Sequence, residues 1–289
     1  LTEQQRLDGM DFVSARLGPN GAYRAQYTSM GISDKKKFRF LPCIAQDPFT
    51  GQATEQRCSS VSCFSDWRCA VMGFAVLDPK LGKNANLYGS LFQCETEPQS
   101  ILLLNQLAYL VATAKYKLDV AKGKELVELS QLIVVAFREI FKYLSHRSSE
   151  LNVSTMDGLK RESFIPCLVK GNIVWYRTDE VFFKRTDRGE SVTEDLFHTV
   201  DFSPFLAAAG VKEDATTKEI FLLMLKSPSN VLRTLGSEAK YRSLLRRVAA
   251  DPPFDLNQLS AEIQKAPLLL AYCTPSSRSR RRRPTTLRM

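Results

Sequence analysis

Phe40-Leu41-Pro42-Cys43 returns about 120 residues later as Phe164-Ile165-Pro166-Cys167, and each copy leads into a further strand-like run. Both copies close alike. Leu91-Phe92-Gln93-Cys94-Glu95-Thr96-Glu97-Pro98 opens an apolar helix from Gln99 to Ala114, and Ala209-Gly210-Val211-Lys212-Glu213-Asp214-Ala215 opens one from Thr216 to Leu225. A repetition of this length reads as one supersecondary unit used twice. The expected fold class is therefore α+β: two loosely repeated units, each a few short antiparallel strands followed by helices.

Working outward from the first copy, Gly18-Pro19-Asn20-Gly21 marks a turn between short segments. Phe38 to Ile44 and Val71 to Leu77 read as strands, the second broken at Gly73. Leu103, Leu107, Leu110 and Val111 share one helical face. Leu126, Leu129, Ile133, Phe137, Ile140, Phe141 and Leu144 continue the period, so the two helices are expected to form a hairpin around Lys122-Gly123-Lys124. Residues 148–160 are polar with few bulky groups and read as a connector.

Around the second copy, Phe164 to Val169, a turn at Lys170-Gly171-Asn172 and Ile173 to Tyr176 form a hairpin signature, with Val181-Phe182-Phe183 as a third strand. Thr216-Thr217-Lys218-Glu219 fits a capping box. Further helices are predicted after Ser227-Pro228, after Ser237, and from Asp255 or Asn257 through Tyr272. The predicted division is a first α+β unit at 1–147, a linker at 148–159, a second unit with a helical C-terminal half at 160–275, and an arginine-rich tail at 276–289 expected to be disordered.

Composition places the chain among ordinary globular proteins: 289 residues, 44% hydrophobic and 25% charged, enough for about two domains. No apolar run reaches the roughly 18 residues of a membrane span, so no membrane partner is expected. The start lacks the basic and apolar stretches of a signal peptide and begins with leucine, which reads as an internal fragment of a longer polypeptide. Seven cysteines without a secretory signal suggest free thiols in a reducing compartment, cytoplasmic or nuclear.

Six of the positive charges behind the net +9 belong to Arg278, Arg280, Arg281, Arg282, Arg283 and Arg288. Each guanidinium offers a fork of donors to phosphate or carboxylate, so Arg278 and Arg280 to Arg283 are the candidate electrostatic site for nucleic acid or an acidic partner. A solvated linker or import-like tract competes with that reading, because no aromatic residues interleave the run to stack bases. Lys35-Lys36-Lys37 reads as a strand-edge gatekeeper.

Motifs for chemistry are sparse. The chain contains no Walker loop, no Gly-x-Gly-x-x-Gly and no nucleophile elbow, and no cofactor or catalytic residue is assigned. Cys58, Cys63 and Cys69 lack the paired Cys-x-x-Cys knuckle of a zinc site, and Cys43 and Cys167 read as small buried hydrophobes. His146 and His198 read as structural or solvated. Glu194-Asp195 and Glu213-Asp214 read as solvated caps, and Trp175-Tyr176 as strand-core aromatics rather than an exposed platform.

The run from Ser163-Phe164-Ile165-Pro166 through Trp175, Asp179 to Phe183, Val200-Asp201-Phe202, Phe205-Leu206, Gly210-Val211-Lys212 and Glu219-Ile220 resembles a large fungal domain of unknown function. Lys240-Tyr241, Leu244-Leu245-Arg246, Val248-Ala249-Ala250 and Leu269-Leu270-Ala271 extend the resemblance. It implies a segment downstream of a module similar to the GHKL-type ATPase of histidine kinases and their chaperone relatives, in the broader company of sacsin and NO VEIN proteins. The nucleotide-binding signatures of that ATPase are absent from these residues. The resemblance thus implies a non-catalytic interaction or scaffold segment of a chaperone-like, ATPase-linked protein, whose partners are neighbouring domains of the parent chain or other proteins. The alternative is a nucleic-acid-binding module acting through the arginine tail.

Overall fold

The computed structural model describes residues 3–81, 84–151, 153–184 and 192–250. It is an α+β protein in which short sheets alternate with helices. The elements run α1 (Glu3–Leu17), α2 (Arg24–Ser29), α3 (Ile32–Lys35), β1 (Leu41–Gln46), β2 (Ala53–Cys58), β3 (Val76–Leu77) and α4 (Asn84–Phe92). Next come α5 (Ser100–Val120), α6 (Lys124–His146), α7 (Val153–Leu159), β4 (Ile165–Val169), β5 (Asn172–Tyr176) and β6 (Val181–Phe183). The order closes with α8 (Val192–Leu196), β7 (His198–Val200), α9 (Pro204–Ala209), α10 (Thr217–Lys226), α11 (Pro228–Leu235) and α12 (Glu238–Ala250).

Two compact units result. The larger is Leu1–Lys184 with His198–Lys212, and the described part of the other is 192–197 and 213–250. Residues on both sides of the expected 148–159 linker fall within the larger unit. The cause is α6, whose Ile133, Phe137, Ile140, Phe141 and Leu144 are all buried. One apolar cluster joins them to Phe49, Leu103 and Leu107 on the N-terminal side and to Phe164, Val181 and Phe205 on the C-terminal side. The linker stretch itself contributes: a 3-10 helix at Ser148–Glu150 is followed by α7, and Leu151, Met156 and Leu159 are buried in the same cluster. Those three apolar groups outweigh the polar character that suggested a connector.

In the first sheet the order is β2-β1-β3, all antiparallel, with Cys43 opposite Leu77 and Ile44 opposite Val76. Side chains alternate across it. Leu41, Cys43 and Leu77 enter a core built with Met10 of α1, Tyr27 of α2 and Phe92 of α4, while Val76 and Ile44 meet the α5–α6 core. The strand expected at Val71 to Leu77 is only Val76–Leu77. Trp67–Met72 instead forms a 3-10 helix, because the Asp66 side chain accepts from the Arg68 N–H and Gly73, at φ 80°, ends the turn.

β4 and β5 pair antiparallel through a two-residue turn, Lys170-Gly171, with φ of 52° and 85°. Positive φ at both central positions is the type I′ geometry that matches strand twist. β6 departs from the expected antiparallel pattern, pairing parallel with β7 in a separate two-stranded sheet. In the smaller unit, Thr216 and Glu219 form the predicted capping box, Pro228 occupies the first turn of α11, and the Ser237 hydroxyl accepts from Lys240 N–H. The predicted helix through Tyr272 and the arginine tail lie outside the described residues.

Candidate functional site

α6 supplies the floor of an open cleft of about 720 Å³ in the larger unit. Its amphipathic spacing turns Phe137 and Phe141 inward and leaves Arg138, Glu139 and Lys142 toward the mouth. Ile165, Pro166, Cys167 and Leu168 of β4 form one wall, and His198, Thr199 and Val200 of β7 form the other. Asp201, Phe202 and the start of α9 close one end. Exposed apolar groups stand at this rim: Leu168 is 45% and Phe202 61% exposed.

The charged groups of the mouth pair with each other. Arg138 Nε lies 3.1 Å from Asp201 Oδ2, and Lys142 Nζ lies 3.7 Å from Glu139 Oε2. Both pairs are exposed, so each contributes little to stability. Their consequence is electrostatic: the lining carries no uncompensated charge with the histidines neutral.

Ser145 and Ser203 hold the end of the cleft together. The Ser203 hydroxyl accepts from Leu206 N–H as the cap of α9, and Ser145, reaching across from α6, accepts from Phe205 N–H. Their hydroxyl oxygens lie 2.9 Å apart, and Ser145 also donates to the Phe141 carbonyl. These hydroxyls serve helix termini rather than standing beside a base. Cys167, the thiol in the same wall, is pushed up to about 11 by burial, which keeps it protonated and a poor nucleophile.

The histidines come to the same cleft. His146 ends α6, and His198 lies with its ring 4.6 Å from that of Tyr176, its pKa lowered by burial. Trp175 is a core aromatic, packed edge-to-face on Phe137 at 5.3 Å with Lys115 Nζ 5.3 Å from its own ring centre. One acid of each acidic pair is engaged: Asp195 meets Lys240 at 3.0 Å, and Asp214 accepts from the Thr193 hydroxyl. Lys35 ends α3, and Lys37 pairs with Asp34 at 2.8 Å. Arg278, Arg280, Arg281, Arg282 and Arg283 lie outside the described residues.

The cysteines divide differently from their order in the chain. Cys69 stands apart with its sulfur 3.2 Å from the Tyr143 hydroxyl, and burial pushes its thiol up to about 11. Cys63 Sγ lies 3.9 Å from Cys94 Sγ, and Cys43, Cys58 and Cys63 are buried together in the core beside the first sheet. Among the described residues no group of three or more such side chains is arranged to hold a metal ion, and no helix is long and apolar enough to cross a membrane.

The cleft escaped the sequence reading because its walls come from residues 134–206, and the strand that builds one of them, β7, is three residues long. A strand that short shows no alternation. Asp201 and Phe202 were visible only as part of a family-like run. Comparison with known proteins gives one family: residues 20–287 match the family model described as Protein of unknown function (DUF3684). No curated protein and no solved structure matches.

Proposed function

Because the chain belongs to the family of proteins of unknown function DUF3684, a membership that assigns no chemistry, we infer its role from the cleft: it is an interaction segment that holds part of another polypeptide, within a larger ATPase-linked, chaperone-like protein. The observation that carries this reading is the rim, where Leu168 and Phe202 expose apolar surface beside strand edges over a packed helical floor. Exposed apolar groups at the border of a concave, charge-neutral surface suit a polypeptide better than a polyanion. The ATPase linkage rests on the resemblance of residues 163–271 alone.

A photo-crosslinking phenylalanine analogue placed at Phe202, and as a control at Tyr116, tests this. Tyr116 lies on α5 and is 70% exposed. Light-dependent adducts with polypeptide at position 202 and none at 116 support the reading. Equal adducts at both positions, or none at either, would overturn it, as would nucleotide hydrolysis by this chain alone that a point substitution within it abolishes.

A further inference from the structure

The two halves of the larger unit match beyond the repeated Phe-x-Pro-Cys pattern. β1 and β4 each open a hairpin, with β2 and β5 as second strands. Phe64 then bridges parallel to Val76 and parallel to Glu95, and Phe182 bridges parallel to Thr199 and parallel to Lys212. α4 lies between the second and third of these strands in one half, and α9 lies there in the other. The aromatic lock agrees too: Phe40 packs edge-to-face on Phe92 of α4 at 5.0 Å, and Phe164 on Phe205 of α9 at 6.3 Å. Superposing the two orders equates β3 with β7 and gives one strand sequence, hairpin then three parallel neighbours.

The halves differ at the joint between the hairpin and the parallel strands. In the first, β1 pairs with β3 through Cys43 with Leu77 and Ile44 with Val76, and the Asp78 N–H donates to the Pro42 carbonyl at 3.0 Å. The corresponding residues of the second half are Cys167 with Val200, Leu168 with Thr199, and Pro166 with Asp201. Among the described residues none of these three pairings between β4 and the β7 side forms, and β4–β5 and β6–β7 remain separate sheets. All six line the cleft. Asp201 also turns the other way: Asp78 is buried and accepts from the Lys80 N–H, whereas the Asp201 carboxylate faces solvent and meets Arg138.

We propose that the cleft is an open strand position, and that its ligand is an uncharged, extended segment of a partner polypeptide that inserts between β4 and β7 and completes one continuous sheet. This rests on reading the chain as an interaction segment and names what that segment takes. The occupant runs antiparallel to β4, as β3 runs to β1, and therefore parallel to β7. Its backbone meets the free edges, which supplies affinity, while alternate side chains enter the Phe137–Phe141–Leu206 floor. Charge selects against a basic or acidic strand, because Arg138–Asp201 and Lys142–Glu139 already compensate each other. Pro166 offers a carbonyl without an N–H, so one register is favoured over its neighbours. The occupant is short, since the edges are 5 and 3 residues long.

The structure also supplies the probe. The uncharged pentapeptide Gly-Phe-Ala-Val-Leu, copied from Gly73–Leu77 and blocked at both ends, carries the strand that closes the first half. Hydrogen exchange of the full chain is followed with this peptide and with the same peptide carrying proline in place of its valine. At about ten times the dissociation constant, the first peptide slows the amides of both β4 and β7 by about tenfold, and the proline peptide leaves them unchanged. Absence of protection at either strand, or equal protection by both peptides, overturns the proposal. So does spontaneous disulfide formation in the Leu168→Cys/Thr199→Cys chain without peptide, which would mean that the two strands close on each other. Crosslinks at position 202 with no protection of β4 and β7 would remove the strand position and leave the interaction reading standing.

Discussion

Gln93 and Gly210 occupy the same point in two helix exits, at φ 59° and 110°. Gln93 N–H donates to Ser90 O and Cys94 N–H to Gly89 O, while Gly210 N–H donates to Ala207 O and Val211 N–H to Leu206 O. This is the paired hydrogen-bond pattern of a Schellman exit, which requires a left-handed residue. Glycine meets that requirement without steric cost, and glutamine does not.

Gln93→Gly is therefore expected to stabilise the chain. Relief of about 1–2 kcal/mol of left-handed strain, less about 0.5–1 kcal/mol for the added freedom of the unfolded chain, leaves a gain of up to about 1.5 kcal/mol. Gly210→Ala goes the other way, by about 1–3 kcal/mol, since φ of 110° suits no side chain. Urea unfolding of both variants reads the opposite signs; a loss of stability in Gln93→Gly would contradict the argument.

The long helices were legible because their periodicity extends over many turns. Leu103 to Val111 and Ile133 to Leu144 repeat at steps of three and four, and burial follows that stripe. The Thr216 capping box and the Lys170-Gly171 turn were legible for a different reason, since both are local geometry written in adjacent residues. The joint between β4 and β7 was illegible because it depends on pairing across about 30 residues. Nothing in Cys167 or Leu168 distinguishes them from Cys43 and Ile44, yet one pair of strands meets and the other does not. The single large unit was missed for a similar reason, as Phe137 signals a buried helix face without signalling that both halves share it.

Phe137 packs on Phe49 at 6.4 Å, Phe141 at 5.8 Å and Trp175 at 5.3 Å, joining residues from both sides of 148–159. Phe137→Ala should cost about 3–5 kcal/mol. The loss should appear equally in probes before residue 148 and after residue 160. Limited proteolysis of this variant separates the alternatives: cuts spread through both stretches agree with a shared core, and an intact fragment ending near residue 147 does not.

Ser145 caps α9 from a different helix, so its removal acts at a distance in sequence. Ser145→Ala leaves the buried Phe205 N–H without its acceptor and should cost about 1–2 kcal/mol; Ser203→Ala should cost about 1 kcal/mol. The two hydroxyls are in contact at 2.9 Å, so the double variant should cost less than the sum of the singles. A double-mutant cycle in urea measures this, and strict additivity would show that the two serines act independently.

His198 gives the cleft a pH dependence whose sign follows from burial. Its pKa is lowered in the folded chain by desolvation beside Tyr176, while the unfolded chain retains the ordinary value near 6.5. Below that value the unfolded state binds a proton that the folded state resists. The contribution of His198 is thus fully present above about pH 6.5 and is lost as pH falls through the folded pKa. His198 is nevertheless an exposed residue of β7, so solvent screens the effect and keeps it small. His198→Gln removes the titration while retaining a polar side chain, at a pH-independent cost from the lost ring contact with Tyr176. Urea midpoints taken from about pH 8 to about pH 5 should therefore converge toward the acid end, with wild type losing its advantage. Parallel curves over that range would mean that His198 protonates as freely folded as unfolded, and that the wall of the cleft at β7 is more open to water than its packing against Tyr176 implies.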